Sequence, residues 1–95
     1  MPNFNYFHIE IEEASDTKEV VVKGEVSNNS DKSYATVAVR IVLFKKSVTV
    51  ANVVFTIHGL SAGTTKAFQK TIEELNYEQI GRDISRYDIY TETAF

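Results

Sequence analysis

Apolar and polar residues alternate at period two along most of this chain, the signature of half-buried β-strands. Over 7–13, Phe7, Ile9 and Ile11 fall on one face, and His8, Glu10 and Glu12 on the other. Ser15-Asp16-Thr17 reads as a turn. A second strand over 19–27 sends Val20, Val22, Gly24 and Val26 inward and Glu19, Val21, Lys23 and Glu25 outward. The pattern then stops at the polar island Ser27-Asn28-Asn29-Ser30-Asp31-Lys32-Ser33. Nothing there asks for burial, and its residue types bond their own backbone in turns, so it is a loop between strands.

A third strand over about 34–44 places Val37, Val39, Ile41 and Leu43 on its inner face. Its other face, with Thr36, Ala38, Arg40, Val42 and Phe44, is too apolar to be fully wet, which predicts a central, partly covered strand. Lys45-Lys46-Ser47 turns the chain. A fourth strand over about 48–58 buries Ala51, Val53, Phe55 and Ile57 and leaves Val50 and Val54 outward. Leu60-Ser61-Ala62-Gly63-Thr64 is a turn in which Gly63 supplies a positive φ. In a fifth strand over 65–72, Phe68 and Ile72 share a face, with Lys66 and Lys70 at intervening positions of the same parity. The stretch 73–83 has no period-two order and has room for one short helical turn near 76–82; Gly81 argues against anything longer. The chain closes with a strand over 85–95 that places Tyr87, Ile89 and Phe95 on one face, Tyr87 packing inward and Tyr90 outward.

Six to seven strands at about ten-residue spacing predict an all-β fold, an antiparallel β-sandwich rather than an α/β layout. The 95 residues form a single domain, 1–95, large enough to bury one core without staples. The absence of cysteine removes disulfides, thiol catalysis and cysteine-based zinc sites. A net charge of −3, with no segment rich in Lys and Arg, argues against nucleic acid as a partner. No apolar run has the length of a membrane-spanning helix, so this segment does not insert directly. The opening MPNFNYFHIE lacks the basic and apolar regions of a signal peptide.

Candidate chemistry is sparse. His8 and His58 lie on outer strand faces, without the spacing of a zinc or catalytic motif. Glu10, Glu12, Glu13 and Glu25 would gather into an acidic patch if the first two strands pair, but Lys23 shares that face. Serines and glycines fall in no nucleophile elbow or phosphate-binding loop. Asn28-Asn29-Ser30 matches a glycosylation triplet. Gly24, on an inward face, makes room for a large neighbour or marks a bulge. Asn28, at a strand end, is placed to bond loop backbone with its amide. The stretches TVAVRIVLF and ANVVFTI combine high β-propensity with low charge: central, they make a core; at an edge, they recruit another strand.

Gly24-Glu25-Val26-Ser27-Asn28-Asn29-Ser30 resembles the G-x-V-x-N-x-S signature of the FxLYD family of immunoglobulin-like domains. Ile41-Val42-Leu43-Phe44-Lys45 falls where that family carries Leu-Tyr-Asp, and the run from Leu60 to Phe68 resembles its later L-x-P-G…F element. The likeness covers 20–68, with Phe44, Lys45 and Ala62 in place of the family's Tyr, Asp and Pro. It implies an immunoglobulin-like fold, structural roles for Gly24, Asn28, Ser30 and Gly63, and no catalytic residues. It also implies a cell-envelope or extracellular setting, in bacteria or archaea; without it the chain reads as cytoplasmic. The expectation is a non-enzymatic module without cofactor. It would bind a protein partner or another copy of itself through a sheet edge or the face carrying Val42, Phe44, Val50 and Val54. The alternative is a small-ligand or metal-binding domain using loops 28–33 and 60–64.

Overall fold

β-branched residues dominate the alternating stretches, and their stiff side chains suit a pleated surface. A computed structural model describes residues 4–15, 18–76 and 83–95. Six strands form: β1 (Phe4–Glu13), β2 (Glu19–Asn28), β3 (Tyr34–Lys45), β4 (Val48–Leu60), β5 (Thr65–Asn76) and β6 (Arg86–Ala94). All pairings are antiparallel, and they build two three-stranded sheets, β1-β2-β5 and β4-β3-β6. The chain is an all-β sandwich, with β2 and β3 at the two sheet centres. Apart from the strand residue Asn76, the helical turn expected near 76–82 lies outside the described residues.

The inward faces of the central strands make the core. Val20, Val22, Ile41, Leu43, Ala51, Ile72 and Leu75 pack together toward one end. Val26, Val37, Val39, Ile57 and Leu60 do so toward the other. Phe55 and Ile89 touch both clusters and join them at the waist. Across the flank between β4 and β5, the rings of Phe55 and Phe68 lie 5.5 Å apart. Across the flank between β1 and β6, the Tyr6 hydroxyl meets Thr91 Oγ1 at 2.6 Å. Burial raises the pKa of that phenol, and the hydrogen bond to Thr91 partly offsets the effect.

Where strict alternation misplaces a residue, the register shifts. In β1, Phe7 pairs with Glu25 and Glu10 with Lys23, so His8 and Ile9 together face Gly24. This is a bulge, and His8 takes a positive φ of 54° to make it. Below the bulge Ile9 and Ile11 point inward as expected; above it the inward residues become Phe4 and Tyr6. Phe7, expected inward, instead shares the outer face with Glu25. In β4, Leu43 pairs with Ala51 and Phe44 with Thr49, leaving Val50 as the extra residue. Val50, expected on the outer face, therefore packs against the core. In β6 the extra residue is Glu92, between the partners of Ala38 and Val39. The shift brings Ala94 inward and turns Phe95, expected inward, out to 71% exposure. Tyr87 keeps inward parity opposite Leu43 but is 41% exposed, because it sits at the open flank between β1 and β6.

Gly24 is what the β1 bulge needs. A Cβ built there would overlap Ile9 Cδ1 and stand 2.8 Å from Phe68 Cζ. The missing side chain lets Ile9 and Phe68 lean over the central strand from both neighbours. Gly24→Ala is expected to cost about 1–3 kcal/mol through overpacking. Ile9→Val, which removes the overlapping methyl, should recover part of that loss, as urea midpoints of the two single variants and the double variant would reveal.

Candidate functional site

Two regions collect the residues singled out by the sequence. The first is the end of the sandwich where β2 stops. Asn28 is fully buried there, the one polar residue among the buried side chains of the described chain. Its Nδ2 donates to the carbonyls of Lys32 at 2.8 Å and Leu60 at 3.1 Å. Its Oδ1 accepts from the Ser30 backbone N–H at 3.0 Å and from the Ser30 hydroxyl at 2.6 Å. Two carbonyls on one side and two donors on the other fix the amide's orientation. The backbone is used as well: Asn28 N–H donates to Thr64 O, and Gly63 N–H donates to Asn28 O.

This explains why the strand pattern ends at Asn28. A buried amide with every hydrogen-bonding position filled offsets its own desolvation and ties three segments together. Loops 28–33 and 60–64 are thereby brought together, and the backbone N–H of Ala62 adds a bond to Ser33 Oγ. Gly63 holds the second turn at φ 71°, where a side chain would be strained. Gly24, Asn28, Ser30 and Gly63 thus serve the frame, and the two loops are joined through Asn28 and Ser33. Asn28 is also inaccessible in the folded chain, so the glycosylation triplet offers no acceptor there.

The second region is the outer face of the β4-β3-β6 sheet. Val42, Phe44 and Val54 lie on it, and Val50 does not. Val42 and Phe44 are half-buried, and the guanidinium of Arg86 stacks 4.1 Å above the Phe44 ring. Val54 remains open at 43% exposure, and Tyr90 stands beyond Arg40 in the same row at 46%. Arg40 crosses the middle of this face. It binds Glu92 through Nε at 2.9 Å and Nη2 at 2.8 Å, and Asn52 Oδ1 through Nη1 at 2.5 Å. The Arg40–Glu92–Asn52 network was not foreseen; alternation places Arg40 outward, but only the strand order and the β6 bulge put Glu92 beside it.

Charges on the outer face of β1 and β2 also pair across the strands. Lys23 meets Glu12 at 2.8 Å and holds that carboxyl below its ordinary pKa. His8 Nδ1 lies 2.5 Å from Glu25. His8 and His58 sit on outer faces of different sheets and do not converge. Among the described residues no cluster of His, Asp or Glu has the makings of a metal site. No helix among them is long and apolar enough to cross a membrane. Comparison with family models, curated proteins and solved structures finds no match to this chain.

Two outcomes are expected. Asn28→Ala strips the donor from two carbonyls and the acceptor from Ser30, and should cost on the order of 3 kcal/mol or more in chemical denaturation. The same change at exposed Asn29 should stay within about 0.5 kcal/mol. Second, Arg40 holds the Glu92 carboxyl below its ordinary value, chiefly by hydrogen bonding. A carboxyl whose pKa is lower in the folded state stabilises above its unfolded value and loses that contribution as pH falls through the folded one. The stability gap between wild type and Glu92→Gln should be widest at neutral pH and close on acidification.

Proposed function

We propose that this chain is a non-catalytic β-sandwich module that engages a protein through its β4-β3-β6 sheet. The observation that carries this reading is β4. It is the longest strand among the described residues, 13 residues, it lies at a sheet edge, and it holds no Asp, Glu, Lys or Arg from Val48 to Leu60. A long uncharged edge is a template for another strand unless it is blunted. The adjoining outer face supplies Val54 and Tyr90 as exposed apolar contacts around an Arg40 whose charge Glu92 neutralises. The loop reading is weaker, because Asn28, Ser30 and Ser33 use their side chains to hold loops 28–33 and 60–64 in place.

The immunoglobulin-like FxLYD type is part of the same proposal. Sheet orders β1-β2-β5 and β4-β3-β6 fit the A-B-E and C′-C-F portions of the two immunoglobulin sheets. Asn28, tied to Leu60, and Gly63, at positive φ, fall in the resembling motifs and support this reading.

Val54→Pro is the test. Its N–H faces away from β3, so proline there spares the internal pairing and blocks the edge. Immobilised wild type should retain from its source cell a protein that the proline variant loses and free wild type competes away. Identical retention by both, with wild-type folding of the variant, would overturn the reading.

A further inference from the structure

Backbone direction along β4 follows from the other side of its sheet. Thr36 exchanges both of its backbone hydrogen bonds with Phe95, beyond the end of β6. Even positions of β3 therefore point their N–H and C=O toward β6, and odd positions point toward β4. Through the register of β3 with β4, the backbone groups of Val53, Phe55 and Ile57 are taken up by β3. Those of Asn52, Val54 and Thr56 point off the free edge.

That edge is open over a limited window. At its lower end the Val50 bulge breaks the regular pairing. At its upper end Lys66, reaching across from β5, places Nζ 2.7 Å from the carbonyl of His58. Between these limits lies 51–57, Ala-Asn-Val-Val-Phe-Thr-Ile, centred on Val54. The other three edges carry devices that deter pairing. β1 has the His8 bulge with Glu10 and Glu12. β5 has Lys66 and Lys70 at inward-parity positions. β6 has Arg86, Asp88 and the bulged Glu92.

The window is self-complementary. Laid antiparallel on a copy of itself about Val54, it pairs Val53 with Phe55 and Ala51 with Ile57 on the core-facing side. On the outer side it pairs Val54 with Val54 and Asn52 with Thr56. Apolar meets apolar, polar meets polar, and small Ala51 meets larger Ile57. No charge is brought opposite a like charge. A two-fold contact must satisfy this condition, because each residue meets its counterpart's partner in both directions. A shift of the two-fold by one residue, to Val53, would leave the off-edge backbone groups facing one another but set polar Asn52 against apolar Val54 and bring Thr56 opposite the Val50 bulge.

We propose that a second copy of this chain occupies this edge. The two β4 strands pair antiparallel through a two-fold at Val54, giving a continuous sheet β6-β3-β4-β4-β3-β6. This rests on the interaction-module reading and names its partner. The two Val54 residues exchange both backbone hydrogen bonds across the axis, flanked by those of Asn52 and Thr56. Asn52, already held by Arg40, carries the polar network of each outer face across the seam.

Because the chain has no cysteine, single cysteines report the register cleanly. Residues opposite each other in a hydrogen-bonded antiparallel pair have Cα atoms about 5.5 Å apart, within disulfide reach. Sedimentation equilibrium of the wild type should show a dimer. Val54→Pro should weaken it by about tenfold or more, through the two central hydrogen bonds lost. Under mild oxidation, Val54→Cys should cross-link to itself. Asn52→Cys alone should not, while Asn52→Cys mixed with Thr56→Cys should. Circular dichroism matching the wild type would establish that each variant folds. A wild type that stays monomeric, with Val54→Cys cross-linking no faster than an exposed cysteine elsewhere, would overturn self-pairing. So would a dimer indifferent to Val54→Pro, or one that cross-links Asn52→Cys to itself. A monomer that still loses a captured protein on Val54→Pro would overturn self-pairing alone; a monomer whose capture is unchanged would overturn the module reading with it.

Discussion

The side-chain amide of Asn28 fastens the two sheets together at the end where β2 stops. Two sheets that share a core but no backbone ladder can slide or splay at their ends. Asn28 ends β2 in one sheet and donates to the carbonyl of Leu60, the last residue of β4 in the other. It also organises the loop that leads from β2 into β3. Its burial is favourable only because every donor and acceptor on it is matched; among the described residues no buried side-chain polar atom lacks a partner. With that end fixed, Val26 of one sheet is held against Val37, Val39, Ile57 and Leu60 of the other, and β4 stays at the edge position on which its behaviour toward other chains depends.

Much of this was legible in the sequence, for a physical reason. Burial on one face of a strand imposes period two, so the inward sets of β2 and β3 could be read directly: Val20, Val22, Val26, Val37, Val39, Ile41 and Leu43 are all buried. The bonding role of Asn28 could be read as well, because an abrupt stop in alternation followed by turn-forming residues marks a strand end that needs capping; its complete burial could not, since the polar stretch around it offers nothing apolar to bury. Phe7, Val50 and Phe95 were misplaced for one shared reason. A bulge changes which parity faces inward, and no local residue preference announces it: His8 takes positive φ in β1 without being glycine. Gly24 was the available signal, since the space it leaves opposite the bulge is filled by Ile9 and Phe68. The extension of β5 to Asn76 escaped notice because its last turn of pattern, around the buried Leu75, lies in a run of glutamates.

What alternation does not encode is strand order, and the outer face was obscure on that account. ANVVFTI was readable as a core strand or as an adhesive edge, and only the sheet order β4-β3-β6 puts it at an edge. The same order brings Arg40 between Asn52 and Glu92 and covers Phe44 with Arg86, leaving Val54 as the open apolar position of the four expected there. Three edges are guarded by charge or bulge, and the fourth is left bare over a short window bounded by a bulge and a lysine. That contrast links the fold to the proposed role, since an edge left unguarded costs solubility unless something is meant to cover it.

The central claim is that Asn28 is a buried, fully bonded fastener between loop and sheet. Its two Nδ2 protons test this most directly by nuclear magnetic resonance. If Lys32 O and Leu60 O hold them, they should exchange with solvent as slowly as the backbone amides of Val26 and Val37. Exchange as fast as that of the exposed Asn29 amide, in protein whose core amides remain protected, would contradict the account.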